Sequence, residues 1–332
     1  MSDKTGVQQK AAAVVDRLLA DMEKDLPPWR QPWSQAGKGL PVSGATQRPY
    51  RGFNTFVLWA QAMGHGWTDN RFFTFSQIQK LKAKVKKGEA GTEVFLWKPA
   101  WCLPVPVNGK KWLYEEAALP KPLPQGTERR LLLRSFYVWN GCQCDGLPKV
   151  EVPSTATTDT SATAEALLTE LGSVIPVRFG GIMARATYSP ARDEITSPER
   201  SSYESTASYY STLFHEFGHG SGHKSRLDRD QTGGFGSLPY AIEELVAESA
   251  SAIVTATLGL PYSTQHASYL KSWAQKLREL SDAERQRTVM SALQRGQKAA
   301  DWVLSGGTLV CAGDDSVKEG TGEALQPEPE AA

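Results

Sequence analysis

The residues that could carry out chemistry in this sequence cluster in one short segment, FHEFGHGSGH, at residues 214–223. The segment contains three of the five histidines of the chain, His215, His219 and His223, and Glu216 lies between the first two. His215, Glu216 and His219 fit the pattern H-E-x-x-H, in which two imidazoles one helical turn apart bind a single Zn²⁺. The intervening glutamate then acts on water as a general base. The spacing therefore predicts a metal-binding helix with hydrolytic chemistry.

A third metal ligand is expected elsewhere in the chain, because two histidines bind zinc weakly and a catalytic site leaves its fourth position open. Glu244 lies 25 residues beyond His219, in the helical segment EELVAE. Glu243 is the competing ligand, but Glu244 shares a polar helix face with Glu248, which favours Glu244. Glu248 is one turn further on, where a carboxylate could hold the far nitrogen of a ligating histidine.

His223 is a further candidate ligand at the end of the segment. The glycines at alternating positions from 218 to 222 favour fraying of the helix, so we expect His223 to be a cap, a substrate contact or a support for a ligand. A closed structural zinc site is the alternative to a catalytic one, but such sites are rich in cysteine, and no cysteine lies near these histidines. The sequence therefore predicts Zn²⁺, or another divalent transition metal in its place, held by two histidines and one glutamate.

Peptide hydrolysis also requires a donor that stabilises the tetrahedral oxyanion. Several residues of the second half are plausible donors or pocket groups, and the sequence does not choose between them. They are Tyr188, Asp193, Tyr209, Tyr210 and Tyr240.

The formal charge divides the chain into two unlike halves. Residues 1–150 contain 22 Lys and Arg against 12 Asp and Glu, a net charge of +10, whereas residues 151–332 contain 15 against 24, a net charge of −9. A basic half indicates a polyanionic partner, for which nucleic acid is the common case, and a solvated surface is the alternative. The basic half and the overall charge of +1 argue against an acidic mimic of DNA.

Aromatic residues accompany these basic residues, since eight of the ten tryptophans precede residue 140. Single-stranded nucleic acid is bound by this combination, because bases stack on aromatic rings while cations contact the phosphates. Core packing is the alternative, and it is favoured for Trp59, Trp97 and Trp139, which lie in apolar runs. The residues predicted to bind single-stranded DNA are Arg51, Trp67, Arg71, Phe72, Phe73, Lys84, Lys86 and Lys87.

The hydrophobic periodicity predicts a two-domain protein of the α+β class. Helices are predicted at 8–24, 54–66, 162–172, within 197–223, and at 241–259, 264–281 and 282–302. Strands are predicted at 92–98, 130–140, 176–181 and 184–190, and a Pro- and Lys-rich loop or insertion at 103–128. A Pro/Ser/Thr-rich linker indicates a small basic α+β domain at 1–155 and a mainly helical domain at 156–310, followed by a disordered acidic tail at 311–332.

The sequence also limits the location of the protein. No stretch approaches the roughly 20 apolar residues that span a bilayer, so no membrane partner is expected. The four scattered cysteines favour a reducing compartment. Together these features predict a cytoplasmic protein.

Five ordered segments resemble the ArdC-type antirestriction proteins of plasmids and related mobile elements. The segments include RPYRGFNTFVLW, SFYVWNGCQCDGLP and YAIEELVAESASA, and the resemblance covers residues 10–305. It implies an N-terminal domain that binds single-stranded DNA without sequence preference, which is also found attached to plasmid primases, and a C-terminal zincin-like metallopeptidase domain. The metal motif of the family falls on His215, Glu216 and His219, and its acidic helix motif falls on Glu244 and Glu248.

The function that this resemblance implies is protection of incoming DNA from host restriction during transfer. The peptide or protein substrate is unidentified, and restriction subunits or other DNA-bound proteins are candidates. The alternative is a protein that coats single-stranded DNA, or a primase-associated accessory module, whose metal site is structural or vestigial.

Overall fold

The computed structural model describes residues 3–24, 39–107, 110–113, 116–149, 160–180, 185–261, 263 and 267–308. The predicted domain boundary near residue 155 and the predicted tail at 311–332 lie outside these residues. The chain forms two compact units, of which the first combines Met1–Val94 with Phe136–Val310 and the second contains Phe95–Ser135.

Helices and strands are interspersed along the chain, which confirms the predicted α+β class. The helices are α1 Asp3–Glu23, α2 Phe53–His65, α3 Phe75–Lys80, α4 Thr160–Val174, α5 Thr206–Gly220, α6 Leu238–Thr257, α7 Ala267–Arg278 and α8 Asp282–Leu304. The strands are β1 Val42–Ser43, β2 Arg71–Thr74, β3 Lys84–Val85, β4 Thr92–Val107, β5 Lys110–Leu113, β6 Glu128–Asn140, β7 Cys144–Asp145, β8 Val177–Phe179, β9 Thr187–Ser189 and β10 Glu194–Ser197.

The N-terminal half is built on a five-stranded sheet with the order β1-β2-β6-β4-β5. Successive side chains of the interior strand β2 point to opposite faces of this sheet, and both faces are covered. Phe72 packs with Leu58 of α2 on one face, and Phe73 packs with Ile78 of α3 on the other. A strand between two apolar layers therefore buries both of its phenylalanines.

The predicted loop at 103–128 is partly β-structure, because β4 continues to Val107 and β5 follows at Lys110–Leu113. The register between β4 and β5 shifts between Cys102 and Val107. Pro104 and Pro106 lie in this interval, and proline lacks the N–H that a regular ladder requires. The prolines indicate a loop in the sequence, whereas the strand accommodates them at an irregularity.

Helix α6 is the centre of the C-terminal half and packs against both α5 and α8. Glycines allow the close approach on each side. A Cβ atom at Gly218 of α5 would lie 3.2 Å from Cα of Ala247, and one at Gly296 of α8 would lie 1.9 Å from Oγ of Ser249. Substitution of either glycine would push these helices apart.

Helix α1 packs on α7 and α8 in the last part of the chain. Arg285 of α8 donates a hydrogen bond of 3.0 Å to Asp16, and Arg278 of α7 pairs with Glu23. A small sheet with the order β8-β10-β9 lies beside α5, and β9 is one of its edges. Within the ranges that the structure describes, no helix is long and apolar enough to cross a membrane.

Candidate metal centre and active-site cavity

Two capped helices position the residues of the H-E-x-x-H motif and the glutamates downstream of it. Ser205 caps α5 by accepting a hydrogen bond of 3.1 Å from the main-chain N–H of Ser208. Ser237 caps α6 in the same way, and Pro239 lies in its first turn. The close contact at Gly218 then brings the motif on α5 against the acidic face of α6.

The three residues predicted as metal ligands meet at one point. Nε2 of His215 lies 3.1 Å from Nε2 of His219, and the Glu244 carboxylate lies 3.4 Å from the first of these atoms and 3.6 Å from the second. One ligand atom from each residue lies within 4.8 Å of the other two. Two imidazole nitrogens and one carboxylate are a donor set that fits Zn²⁺ and related divalent cations, with a further coordination position left open.

A further carboxylate contacts the Nδ1 atom of each histidine. Nδ1 of His215 lies 2.9 Å from the Glu248 carboxylate, and Nδ1 of His219 lies 3.2 Å from Glu243. Such contacts fix the ring orientation and direct Nε2 towards a metal. Glu248 thus lies where the sequence predicts a supporting carboxylate, and Glu243, considered there as a competing ligand, has the same relation to the other histidine.

Arg229 and Gln231, which the sequence reasoning missed, hold Glu243 in place. Arg229 donates to Glu243 through Nε at 3.0 Å and Nη2 at 2.7 Å, and Gln231 donates to it at 3.1 Å. Gln231 also donates to the main-chain oxygen of His219 at 2.7 Å. The signal in the sequence is the segment SRLDRDQ between the two helices, because it supplies the cation that a buried carboxylate such as Glu243 requires.

The electrostatics of this cluster favour a cation between the two imidazoles. Burial lowers the pKa of each histidine, but the surrounding glutamates outweigh it. Hydrogen bonds with Glu244 and Glu248 raise the pKa of His215 well above its usual value. The charge of Glu244 and the contact with Glu243 raise the pKa of His219 to about 9. Burial raises the pKa of Glu244, yet the two histidines lower it far more, so this carboxylate stays ionised.

Glu216 is 4% exposed and is anchored to strand β9. Its Oε2 accepts a hydrogen bond of 2.6 Å from the main-chain N–H of Tyr188. The hydroxyl of Tyr188 is engaged elsewhere, since it lies 2.8 Å from Asp193 and 3.2 Å from Arg226. Burial and the contact with Asp193 raise the pKa of Tyr188, so its hydroxyl stays protonated in this network.

A cavity of about 660 Å³ opens above the cluster and is bounded by β9, by α5 and by the loop that leads into α6. Of the predicted oxyanion donors, Tyr188 and Tyr240 line this cavity. Tyr210 instead directs its hydroxyl to Glu165 at 2.8 Å, and Tyr209 packs against the ring of Tyr203. Tyr240 is the other predicted donor that lines the cavity.

His223 lies beyond the C-terminus of α5 and is not among the residues that line the cavity. Its Nδ1 lies 2.8 Å from the hydroxyl of Ser225. The main-chain oxygen of His223 accepts a hydrogen bond of 2.8 Å from the N–H of Arg226, so the residue belongs to the turn after the helix.

The prediction that Phe72 and Phe73 bind DNA is wrong. Phe72 is 0% exposed and Phe73 is 1% exposed, because the two faces of β2 are both covered, so neither ring can stack on a base. The expected core position of Trp59 is confirmed at 2% exposure, whereas Trp97, also expected in the core, is 48% exposed. An apolar run does not distinguish the two faces of a strand, and this explains the error. Trp139 is partly buried against Phe73 and its neighbours.

Several of the other residues predicted to contact DNA already interact with groups of the protein. Arg51 pairs with Asp301 of α8, and Arg71 is bound through three nitrogen–oxygen contacts of 2.8–3.2 Å to Asp69. Trp67 packs on the apolar layer that contains Phe72, and its ring stacks on His65 at 4.6 Å. The three predicted lysines, Lys84, Lys86 and Lys87, are exposed. Of these, Lys86 donates a hydrogen bond of 2.8 Å to the main-chain oxygen of Cys142.

Two family models match the chain, one in each half. Residues 8–138 match the N-terminal domain of anti-restriction factor ArdC, and residues 162–292 match a zincin-like metallopeptidase domain. The first match covers the basic half, and the second covers the metal cluster.

Similar structures extend over nearly the whole chain. The crystal structure of the antirestriction protein ArdC from plasmid R388 in its metal-free form superposes with a TM-score of 0.69 at 29% identity, and covers 90% of this chain and 97% of that one. The Mn(II)-bound structure of the same protein superposes with a TM-score of 0.67 at 30% identity, over 90% and 98% of the two chains.

Curated relatives of different length match this sequence. The uncharacterized protein y4eC of Sinorhizobium fredii is 36% identical over 87% of this chain and 90% of its own length. DNA primase TraC of Escherichia coli is 35% identical over 88% of this chain, but the match spans 20% of the primase. The matching region therefore makes up most of the first relative and a fifth of the second.

Proposed function

Because this chain belongs to the ArdC-type antirestriction proteins, we propose that it is a metal-dependent peptidase that binds single-stranded DNA and protects the DNA of a mobile element from restriction during transfer. The observation that carries the proposal is the convergence of His215, His219 and Glu244 beside Glu216 in one cavity. A family match alone does not distinguish a site with a ligand set from one that has lost it, and the geometry of this cluster supports a site that has kept it.

The residues that would hold the metal are His215, His219 and Glu244, with Glu248 and Glu243 supporting the histidines. Zn²⁺ is the ion that this donor set suits, and Mn²⁺ is a second candidate because a solved relative binds Mn(II). The ion supplies Lewis-acid chemistry, which lowers the pKa of water and polarises a carbonyl.

Glu216 is the general base in this proposal. The N–H of Tyr188 holds one oxygen of its carboxylate, so the group cannot rotate away from the cavity that it lines. In this position it accepts a proton from the water that attacks a peptide carbonyl. Tyr240, which also lines the cavity, is the proposed donor to the oxyanion that this attack creates.

The proposed substrate is an extended peptide, and the strand that borders the cavity supports this choice. Strand β9 is an edge of its sheet and forms one wall, and an edge strand offers main-chain groups with which an extended peptide can pair. Single-stranded DNA bound by the basic half would then concentrate the peptidase near DNA-bound proteins, including restriction subunits.

The decisive experiment is a transfer assay into restricting and non-restricting hosts with Glu216→Gln. We expect the variant to retain its metal and its affinity for single-stranded DNA but to lose protection, because only the proton acceptor is removed. Glu204→Gln, a substitution at an exposed glutamate, is the matched control. If Glu216→Gln protected as well as the wild type, the peptidase would not be required and coating of DNA would explain protection.

A further inference from the structure

The lysines that follow α3 face solvent because the alternate residues fill the core. Ala83 and Val85 pack into the apolar layer beneath α3 and β3. The side chain of Lys84, between them, consequently points away from this layer. We call three exposed lysines of this segment the basic face: Lys82, Lys84 and Lys87.

Lys86 is set apart from the basic face because its charge is already engaged. Its Nζ donates to the carbonyl oxygen of Cys142 at 2.8 Å and lies 4.0 Å from the Asp145 carboxylate. No acidic residue occurs in the sequence from Lys80 to Lys87, so the local charge along this part of the chain is positive throughout.

An exposed aromatic ring begins the helix that leads into the basic face. Phe75 is 48% exposed, and its ring centroid lies 5.9 Å from that of Trp139, which supports it from one side. A capping box between Thr74 and Gln77 fixes the start of α3 at this point. Helix α3 contains six residues, which corresponds to about 9 Å along its axis, and the basic face follows directly after it.

Tyr137 extends this aromatic surface along strand β6. It is 45% exposed and lies two residues before Trp139, so the two side chains share a face of the sheet. Gly91 leaves room for both, because a Cβ atom there would lie 2.9 Å from the Trp139 ring and 3.1 Å from Cβ of Tyr137. Nζ of Lys10 lies 3.2 Å from the Tyr137 hydroxyl and 3.3 Å from the Glu93 carboxylate, so its charge is paired at this end. We call Phe75, Trp139 and Tyr137 the aromatic row.

We propose that single-stranded DNA binds along the aromatic row and the basic face, with bases stacked on Phe75 and Tyr137 and phosphates beside the lysines. This inference rests on the DNA binding proposed above and assigns its surface. Exposed rings beside cations suit single strands, because the bases of a duplex stack on one another and hide their faces. The assignment replaces Phe72 and Phe73, whose rings are buried.

The test measures the affinity of the full-length protein for a labelled oligothymidylate by fluorescence anisotropy. We expect Phe75→Ala and Tyr137→Ala each to raise Kd by roughly 5- to 150-fold, the range that corresponds to the loss of one stacked base. Phe179→Ala is the matched control, because Phe179 is 46% exposed and lies on β8 in the other half of the chain. Its Kd should equal that of the wild type.

The lysines are tested through the salt dependence of the same binding. Lys84→Gln combined with Lys87→Gln should lower the slope of log Kd against log salt by about 0.7 for each phosphate that the variant no longer neutralises. The control pair is Lys271→Gln with Lys298→Gln, two exposed lysines of α7 and α8. It should leave the slope unchanged.

Photo-crosslinking tests the same surface in the wild-type protein, so its result does not depend on whether a variant folds. An oligonucleotide with 5-iododeoxyuridine should crosslink to Phe75 or Tyr137, as located by mass spectrometry. Crosslinks confined to other aromatic residues, or wild-type affinity in both alanine variants, would overturn the assigned surface but leave DNA binding intact. If the wild-type protein did not bind the oligonucleotide at all, the proposed function itself would be wrong.

Discussion

The Nε2 atoms of His215 and His219 lie 3.1 Å apart, and a glutamate contacts the Nδ1 atom of each ring. Two imidazoles in this arrangement present their remaining nitrogens to the same small space, which Glu244 closes from α6. The rings are oriented before any ion arrives, because Glu248 and Glu243 are themselves buried. This preorganisation is the physical basis of the predictions on metal binding.

Separate substitutions of Glu244 and Glu243 distinguish a proposed metal ligand from a residue that supports a ligand. Glu244→Gln removes an anionic ligand atom, so we expect metal affinity to fall by more than the 10- to 100-fold typical of removing a supporting side chain. Glu243→Gln removes the charge that supports His219 and pairs with Arg229 but leaves the three proposed ligands in place, so the affinity should fall within that range. Competition titration with a chromophoric chelator measures both. If Glu243→Gln cost more affinity than Glu244→Gln, the assignment of the ligand would be reversed.

Metal affinity should depend on pH well above the usual range of histidine. The pKa of His219 is raised to about 9 without metal, and the imidazole must lose its proton to bind an ion. Affinity should therefore rise with pH and level off near that value. An affinity that stopped changing above about pH 7 would show that His219 has an ordinary pKa.

The raised pKa of His219 also contributes to the pH dependence of the stability of the metal-free protein. A folded-state pKa above the usual value of about 6.5 contributes stability that is fully present below that pH. This contribution should disappear as the pH rises through about 9. Urea unfolding at a series of pH values should show the decline in metal-free protein, and saturating metal should reverse its direction.

Arg229 should be important for stability because it neutralises a buried carboxylate. Its side chain is 4% exposed and pairs with Glu243 at 2.7 Å. Arg229→Ala should lower the free energy of unfolding by about 3 kcal/mol, since it leaves a buried charge without its main partner. Arg178, which is 74% exposed and pairs with Glu194, provides the control, and Arg178→Ala should cost less than about 1 kcal/mol. Equal losses in urea unfolding would contradict the role of burial.

Tyr240→Phe tests the donor on the wall of the cavity. Loss of one oxyanion donor lowers kcat by roughly 100- to 1,000-fold in enzymes of known mechanism, with little effect on KM. We expect this pattern with a fluorogenic peptide library, at unchanged metal content. Tyr209→Phe removes the same atom from a buried tyrosine outside the cavity and should retain the wild-type kcat. A Tyr240→Phe variant with the wild-type kcat would exclude this residue from the reaction.

The metal cluster could be anticipated from sequence because helical periodicity constrains it strongly. The spacing of His215 and His219 and that of Glu244 and Glu248 each place two residues on one helix face, so few arrangements remain once the helices exist. The network around Arg229 could not be anticipated in the same way. It depends on the path of the loop after α5, for which the sequence contains no comparable periodicity.

The DNA surface is harder to predict because composition does not report which face of a strand is covered. The pair Phe72 and Phe73 indicates a stacking platform, yet α2 and α3 cover opposite faces of β2 and bury one ring each. Phe75 lies two residues later, where the strand has ended and α3 begins, and its ring remains exposed. The distinction depends on tertiary packing, which is not encoded in the local pattern.

The packing of α1 on α7 and α8 has a consequence for dissecting the protein. Val15, Leu18 and Leu19 are at most 3% exposed, so a fragment that began after the basic half would uncover the apolar surface that they occupy. Loss of proteolysis in such a fragment would then reflect unfolding and could be mistaken for a requirement for DNA. Point substitutions in the intact chain separate the two proposed activities without this ambiguity.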